Sequence, residues 1–151
     1  MRQYLFFNLG DEKFAINSQW IKEIVDYDKI TNIPNSSDLI MGVINIRGDI
    51  IPVIDMLARF NTGNTQIKNR TSFVLIEVLN KTKGTYTTIS IMVDLVLEVE
   101  EIEEVDILDA PKFGTKIDSL YIENIIDYEN KHIMALNIDN ILDVEQLKKL
   151  D

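Results

Sequence analysis

Gly42-Val43-Ile44-Asn45-Ile46-Arg47-Gly48-Asp49-Ile50-Ile51-Pro52-Val53-Ile54-Asp55-Met56 reads as two short apolar arms on either side of a Gly-Asp turn. Val and Ile dominate both arms, and branching at Cβ favours the pleated chain over the helix. Gly48 and Asp49 supply the turn chemistry, so the stretch predicts a hairpin. Extended to residue 60, it runs without gaps against residues 124–142. Ile44 meets Ile126, Gly48 meets Asn130, Ile51 meets Ile133 and Ile54 meets Leu136. A second match, residues 16–24 against 91–99, precedes it in the same order, and each is followed by acidic residues and then a proline, Pro34 or Pro111. Two matches in one order point to an internal duplication. A duplicated small barrel is the expectation.

The remaining apolar segments fit that picture. Strands are expected near 3–9, 13–17, 20–27, 43–47, 50–54, 72–79, 87–93, 95–102, 121–127 and 132–138. Gly10-Asp11, Lys83-Gly84 and Glu129-Asn130 mark further turns. Residues 36–41 predict one or two helical turns, and 143–150 a short C-terminal helix with Asp143 as its N-cap. The Asn-, Thr- and Gly-rich stretch 61–71 reads as a flexible seam between two pseudo-repeated halves of a single unit, 1–151.

Composition removes several function classes. With 25 acidic against 15 basic residues and a formal charge of −10, the surface repels phosphate backbones and anionic lipid. Nucleic-acid binding and direct membrane insertion are therefore not expected. No cysteine is present, which excludes thiol nucleophiles, disulfides and thiolate metal sites. The opening apolar run, Tyr4 to Phe7, is too short for a signal-peptide core, so a cytoplasmic protein is expected. In that setting the Arg47-Gly48-Asp49 tripeptide and the sequons at Asn35, Asn69 and Asn80 have no reader.

Catalytic constellations are missing as well. His132 stands alone in a strand-like segment, and the phosphate-cradling and nucleophile-elbow motifs do not occur. Asp94, Glu98, Glu100 and Glu101 lie close in sequence, where acid–base work needs converging carboxylates; solvated surface is the stronger reading. Between Glu98 and Asp109 the acids alternate with Val99, Ile102, Val105 and Ile107, which describes one wet face and one buried face rather than a metal cage. No enzyme activity, metal or cofactor is expected.

The hairpin also carries a resemblance. Asn45-Ile46-Arg47-Gly48 followed by Pro52-Val53-Ile54-Asp55-Met56 resembles the signature of CheW-like domains. Leu9-Gly10-Asp11 through Ile16 looks like the family's opening hairpin, Ile21-Lys22-Glu23-Ile24 like its Val-x-Glu-Ile strand, and Val93-Asp94 through Val99 like its Val-Asp-x-Val segment. The resemblance implies an all-β fold of two intertwined five-stranded SH3-like barrels. It also implies a non-catalytic adaptor joining chemoreceptor cytoplasmic tips to the regulatory domain of a CheA-type histidine kinase. No kinase, phosphotransfer or receiver segment accompanies the domain, which looks like a free-standing coupling protein. The family carries Gly where this chain has Asn124, and Asn tolerates the left-handed region better than other residues with a Cβ.

Carried onto this chain, the resemblance makes Ile21, Glu23, Ile24, Gly42, Arg47, Gly48 and Val99 the partner-binding candidates. Glu23 and Arg47 are expected to form an ion pair. Ile21, Ile24 and Val99 divide between groove and core. Three alternatives stay open: a barrel serving another receptor–kinase system, a small carboxylate-dependent hydrolase, and an OB-like nucleic-acid binder.

Overall fold

The computed structural model describes residues 1–34, 38–80, 83–110 and 117–142. In the first half the strands are β1 (Arg2–Leu9), β2 (Glu12–Asn17), β3 (Ile21–Asp26), β4 (Ile40–Ile46) and β5 (Asp49–Ile54), followed by the one-turn helix α1 (Met56–Arg59). The second half adds β6 (Ser72–Asn80), β7 (Thr85–Val93), β8 (Leu95–Ile102), β9 (Ile107–Asp109), β10 (Ile122–Tyr128) and β11 (Lys131–Leu136). One sheet runs β3-β6-β7-β5-β4 and the other β8-β1-β2-β11-β10-β9. Each sheet draws strands from both sides of residues 61–71, which is the intertwining. The fold is all-β, with two barrel-like halves.

Strand register records the duplication more sharply than side-chain identity does. Val53 lies opposite Ser90 in the parallel pair β5–β7, and Ala135 lies opposite Ala15 in β11–β2. Val53 and Ala135 are one position of the first match, and Ser90 and Ala15 each stand one residue before the second. Ile24 faces Val74 where Val99 faces Leu5. Bulges coincide too: one falls between Ile40 and Gly42, the other between Ile122 and Asn124. The isolated bridge Thr31–Val43 stands where β9 pairs Leu108 with Ile125. The short β9, a sixth strand beyond the expected five, is thus a lengthened form of that bridge.

Three apolar clusters explain why four strands are buried on both faces. Tyr4, Phe6 and Ala15 fill the second barrel, while Phe73, Leu75 and Met92 fill the first. The alternate residues of the same strands, Leu5, Phe7, Phe14, Val74, Ile76 and Ile91, meet in a shared core between the barrels. A strand apolar on both faces loses the period-2 signal, hence the continuous runs 4–7 and 73–76. β3 keeps its alternation because one of its faces reaches solvent.

One of the two helical expectations needs correction. Ile40 and Met41 open β4 rather than extend a helix from residue 36, and residues 35–37 and 143–150 lie outside the described residues. The helix that does form, α1, follows directly from the hairpin. Its N-cap is Asp55, whose carboxylate accepts from Leu57 N at 3.1 Å and Ala58 N at 3.2 Å. The same carboxylate accepts from Thr65 Oγ1 at 2.7 Å, from Thr65 N and from Asn64 Nδ2. The stretch read as flexible is therefore tied down at Thr65, and again where Lys68 N donates to Thr71 Oγ1.

Candidate partner-binding site

In the first sheet β3 and β4 are opposite edges. Curling into a barrel leaves a seam between them, and Glu23 on β3 meets Arg47 at the tip of β4 across it. The turn Ile46-Arg47-Gly48-Asp49 joins β4 to β5 with two central residues, Arg47 at φ 50° and Gly48 at φ 92°. Both lie in the left-handed region, the geometry of a type I′ hairpin turn, which matches the right-handed twist of its strands. Gly suits that conformation; Arg does not, because its Cβ crowds the backbone. Asn45 Oδ1 accepts the Gly48 N–H at 2.9 Å and so holds the turn from its own strand.

From that turn Arg47 reaches back to β3. Its Nη2 lies 2.7 Å from Glu23 Oε1 and 3.0 Å from Oε2. A single guanidinium nitrogen thus serves both carboxylate oxygens. Arg47 remains 72% exposed, while Glu23 is 28% exposed. The hydrogen bond to Glu23, and then the charge of that carboxylate, hold the Arg47 pKa above its ordinary value. The arrangement is a closed seam whose cation still faces outward.

The other candidates occupy different settings. Gly48 is an exposed turn residue, whereas Gly42 is buried at the far end of β4 beneath the Thr31 backbone. Ile21 packs against the shared core. Ile24 is 43% and Val99 53% exposed, and the two are equivalent positions of the repeat. Ile24, Leu95 and Val96 give apolar lining to an open groove of about 750 Å³, walled on one side by residues 68–72. The structure therefore brings Glu23, Arg47 and Gly48 together, sets Ile24 on the groove, half-buries Ile21 against the shared core and buries Gly42.

The equivalent place in the second half has the opposite electrostatics. Glu98 stands where Glu23 does, and Glu129 where Arg47 does, again at positive φ. No cation of the chain joins that pair among the described ion pairs. Beside it the Tyr128 hydroxyl is pushed up to about 12, first by loss of solvent and then by Glu100, Glu129 and Glu98. The two halves share a backbone and differ in charge.

The catalytic alternatives find little support in this geometry. Asp94 is not solvated surface as expected: it is 8% exposed and accepts from Lys68 Nζ at 3.1 Å. Burial raises the Glu123 pKa; the charge of Arg2 opposes that rise and the more weakly felt Asp139 adds to it. His132 is exposed on β11 opposite Asp127. Among the described residues no group of three acids or histidines is placed to hold a metal, and no helix is long and apolar enough to cross a membrane.

Comparison with known proteins decides the family. A model of the CheW-like domain matches residues 3–146. The chain belongs to the CheW-like family. Chemotaxis protein CheW of Klebsiella aerogenes is 27% identical over 150 residues, spanning 99% of this chain and 87% of that protein. CheW of Bacillus subtilis is 29% identical over 141 residues, spanning 93% and 86%. The crystal structure of the scaffolding protein TtCheW from Thermoanaerobacter tengcongensis superposes with a TM-score of 0.84 at 30% identity, over 96% of this chain and 90% of that one. This CheW-like chain is accordingly a chemotaxis scaffold and not an enzyme.

Two residues that position the site were not singled out from sequence. Asn45 had a signal, since Asn side chains beside a turn commonly hydrogen-bond nearby backbone. Asp55 had one as well: it precedes Met56-Leu57-Ala58-Arg59, all good helix formers.

Proposed function

We propose that the chain couples chemoreceptor cytoplasmic tips to the regulatory domain of a CheA-type histidine kinase, acting in the cytoplasm without inserting into the membrane. Family membership supports the scaffold role, and the Glu23–Arg47 clasp is the observation that carries the site. An Arg kept in a conformation it disfavours, three-quarters solvent-facing and held by one nitrogen, has donors to offer a second protein. The receptor-facing surface comprises that clasp with Gly48, Ile24 and the apolar groove beside it. Val99 continues the surface on β8, while Ile21 and Gly42 support it from within. The domain is one unit, 1–151, whose pseudo-repeated halves meet near 61–71.

Charge exchange tests the site. Glu23→Arg and Arg47→Glu each weaken binding of a purified receptor-tip fragment at least tenfold, with little change in thermal midpoint because the pair is exposed. The double exchange re-forms the pair and recovers part of the affinity. Single variants that couple receptor to kinase as well as the parent would remove Glu23 and Arg47 from the site.

A further inference from the structure

We propose that Asn45 is a positioning residue for receptor recognition, acting through Arg47; the inference rests on the function proposed above. The Gly48 N–H lies in the same peptide plane as the Arg47 carbonyl. Fixing that N–H fixes the rotation about the Arg47 Cα–C bond, and with φ at 50° this sets where the backbone directs the Arg47 side chain. Asn45 Oδ1 does the fixing, from 2.9 Å, and it is anchored in β4 opposite Ile50 of β5. In a type I′ turn both central residues are left-handed, a conformation that Gly48 accepts freely and Arg47 resists. Without the lock, the strained residue is the first to relax, and Arg47 swings away from Glu23.

The chemistry at Asn45 fits this role, and among the described residues its side chain makes no other hydrogen bond that competes with it. Its side chain is exposed and ends in an acceptor at turn-spanning reach. Asn45 touches the partner only through the conformation it imposes. The motif Asn-Ile-Arg-Gly is then one device: Ile46 ends the strand, Gly48 permits the turn, Asn45 locks it and Arg47 is presented.

A double-mutant cycle separates positioning from mere stabilisation. In the parent background Asn45→Ala lowers affinity for a purified receptor-tip fragment by on the order of fivefold, the worth of one hydrogen bond. In an Arg47→Ala background the same substitution changes affinity less than twofold, since no guanidinium remains to be aimed. Affinity for the kinase regulatory domain is unchanged throughout. Equal losses in both backgrounds overturn the proposal, as does parental affinity in Asn45→Ala or its failure to fold. If the parent itself does not bind the receptor tip, the coupling function fails, and this inference goes with it. If the parent binds and Arg47→Ala binds equally well, the fault lies in the site assignment.

Discussion

One methyl group at Gly42 would put a Cβ 2.6 Å from Ile30 Cγ2 and into hard contact with the Thr31 carbonyl oxygen. The loop after β3 therefore crosses β4 only because residue 42 has no side chain. Backbone atoms cannot swing aside as a side-chain tip can, and φ at 148° adds strain for any other residue. Gly42→Ala is expected to cost roughly 1–3 kcal/mol, read as a lower denaturant midpoint at unchanged slope. Gly48→Ala meets no atom within 4 Å and pays only for its φ, so it should lose less. The counterpart Asn124 solves the same crossing differently. It is not left-handed, contrary to the expectation from its match to Gly42; its amide donates to Leu108 O at 3.2 Å and holds β9 alongside. Sequence revealed that the two positions correspond, but not that one excludes a side chain and the other uses it. That difference depends on a loop 11 residues upstream in one half, and on β9 in the other.

Strands were the most legible elements and short helices the least. Ten of them were visible because β-branched residues and turn signals recur at close spacing. β9 escaped notice: three residues with Asp109 at the end give too little pattern, and Val105, the apolar residue before it, is 80% exposed. α1 escaped for another reason, since its four residues make a single turn, too short for a helical period to show. Its existence rests on Asp55, a 2% exposed carboxylate whose partners are the helix start and the 64–65 segment. Asp55→Ala strands those donors and should destabilise the protein by roughly 3 kcal/mol or more. Asp55→Asn keeps one acceptor oxygen and should lose less. Hydrogen exchange should show the loss spreading from α1 to Thr65, and confinement to the helix alone would contradict the shared role.

At the scale of the whole molecule, two copies of one barrel have diverged in charge while keeping register. Glu23–Arg47 neutralises one seam; Glu98 and Glu129 leave its counterpart acidic. Surfaces so different do not favour the same partner. Receptor tip and kinase regulatory domain are therefore expected to bind together, giving a ternary complex by analytical ultracentrifugation. Competition between them in a titration would mean that they share one face. The duplication was legible because two gapless matches kept their order. The candidate site was legible only in part: pairing of Glu23 with Arg47 followed from the family motif, while the turn lock and the buried placement of Gly42 needed coordinates.

The parallel pairing of β2 with β11 has a consequence for synthesis. Phe14 finds its partner Met134 only after roughly 120 further residues have been made. At about 5–20 residues per second, that is roughly 6–24 seconds during which β2 lacks its outer neighbour. Tyr4–Phe7 and Phe14–Ile16, destined for complete burial, can pair with each other at once, but their hairpin waits on the ribosome with its outer edges open and its apolar faces uncovered. The nascent chain is then a natural client for holding chaperones, and slowing the ribosome late in the message should aggravate aggregation more than slowing it early.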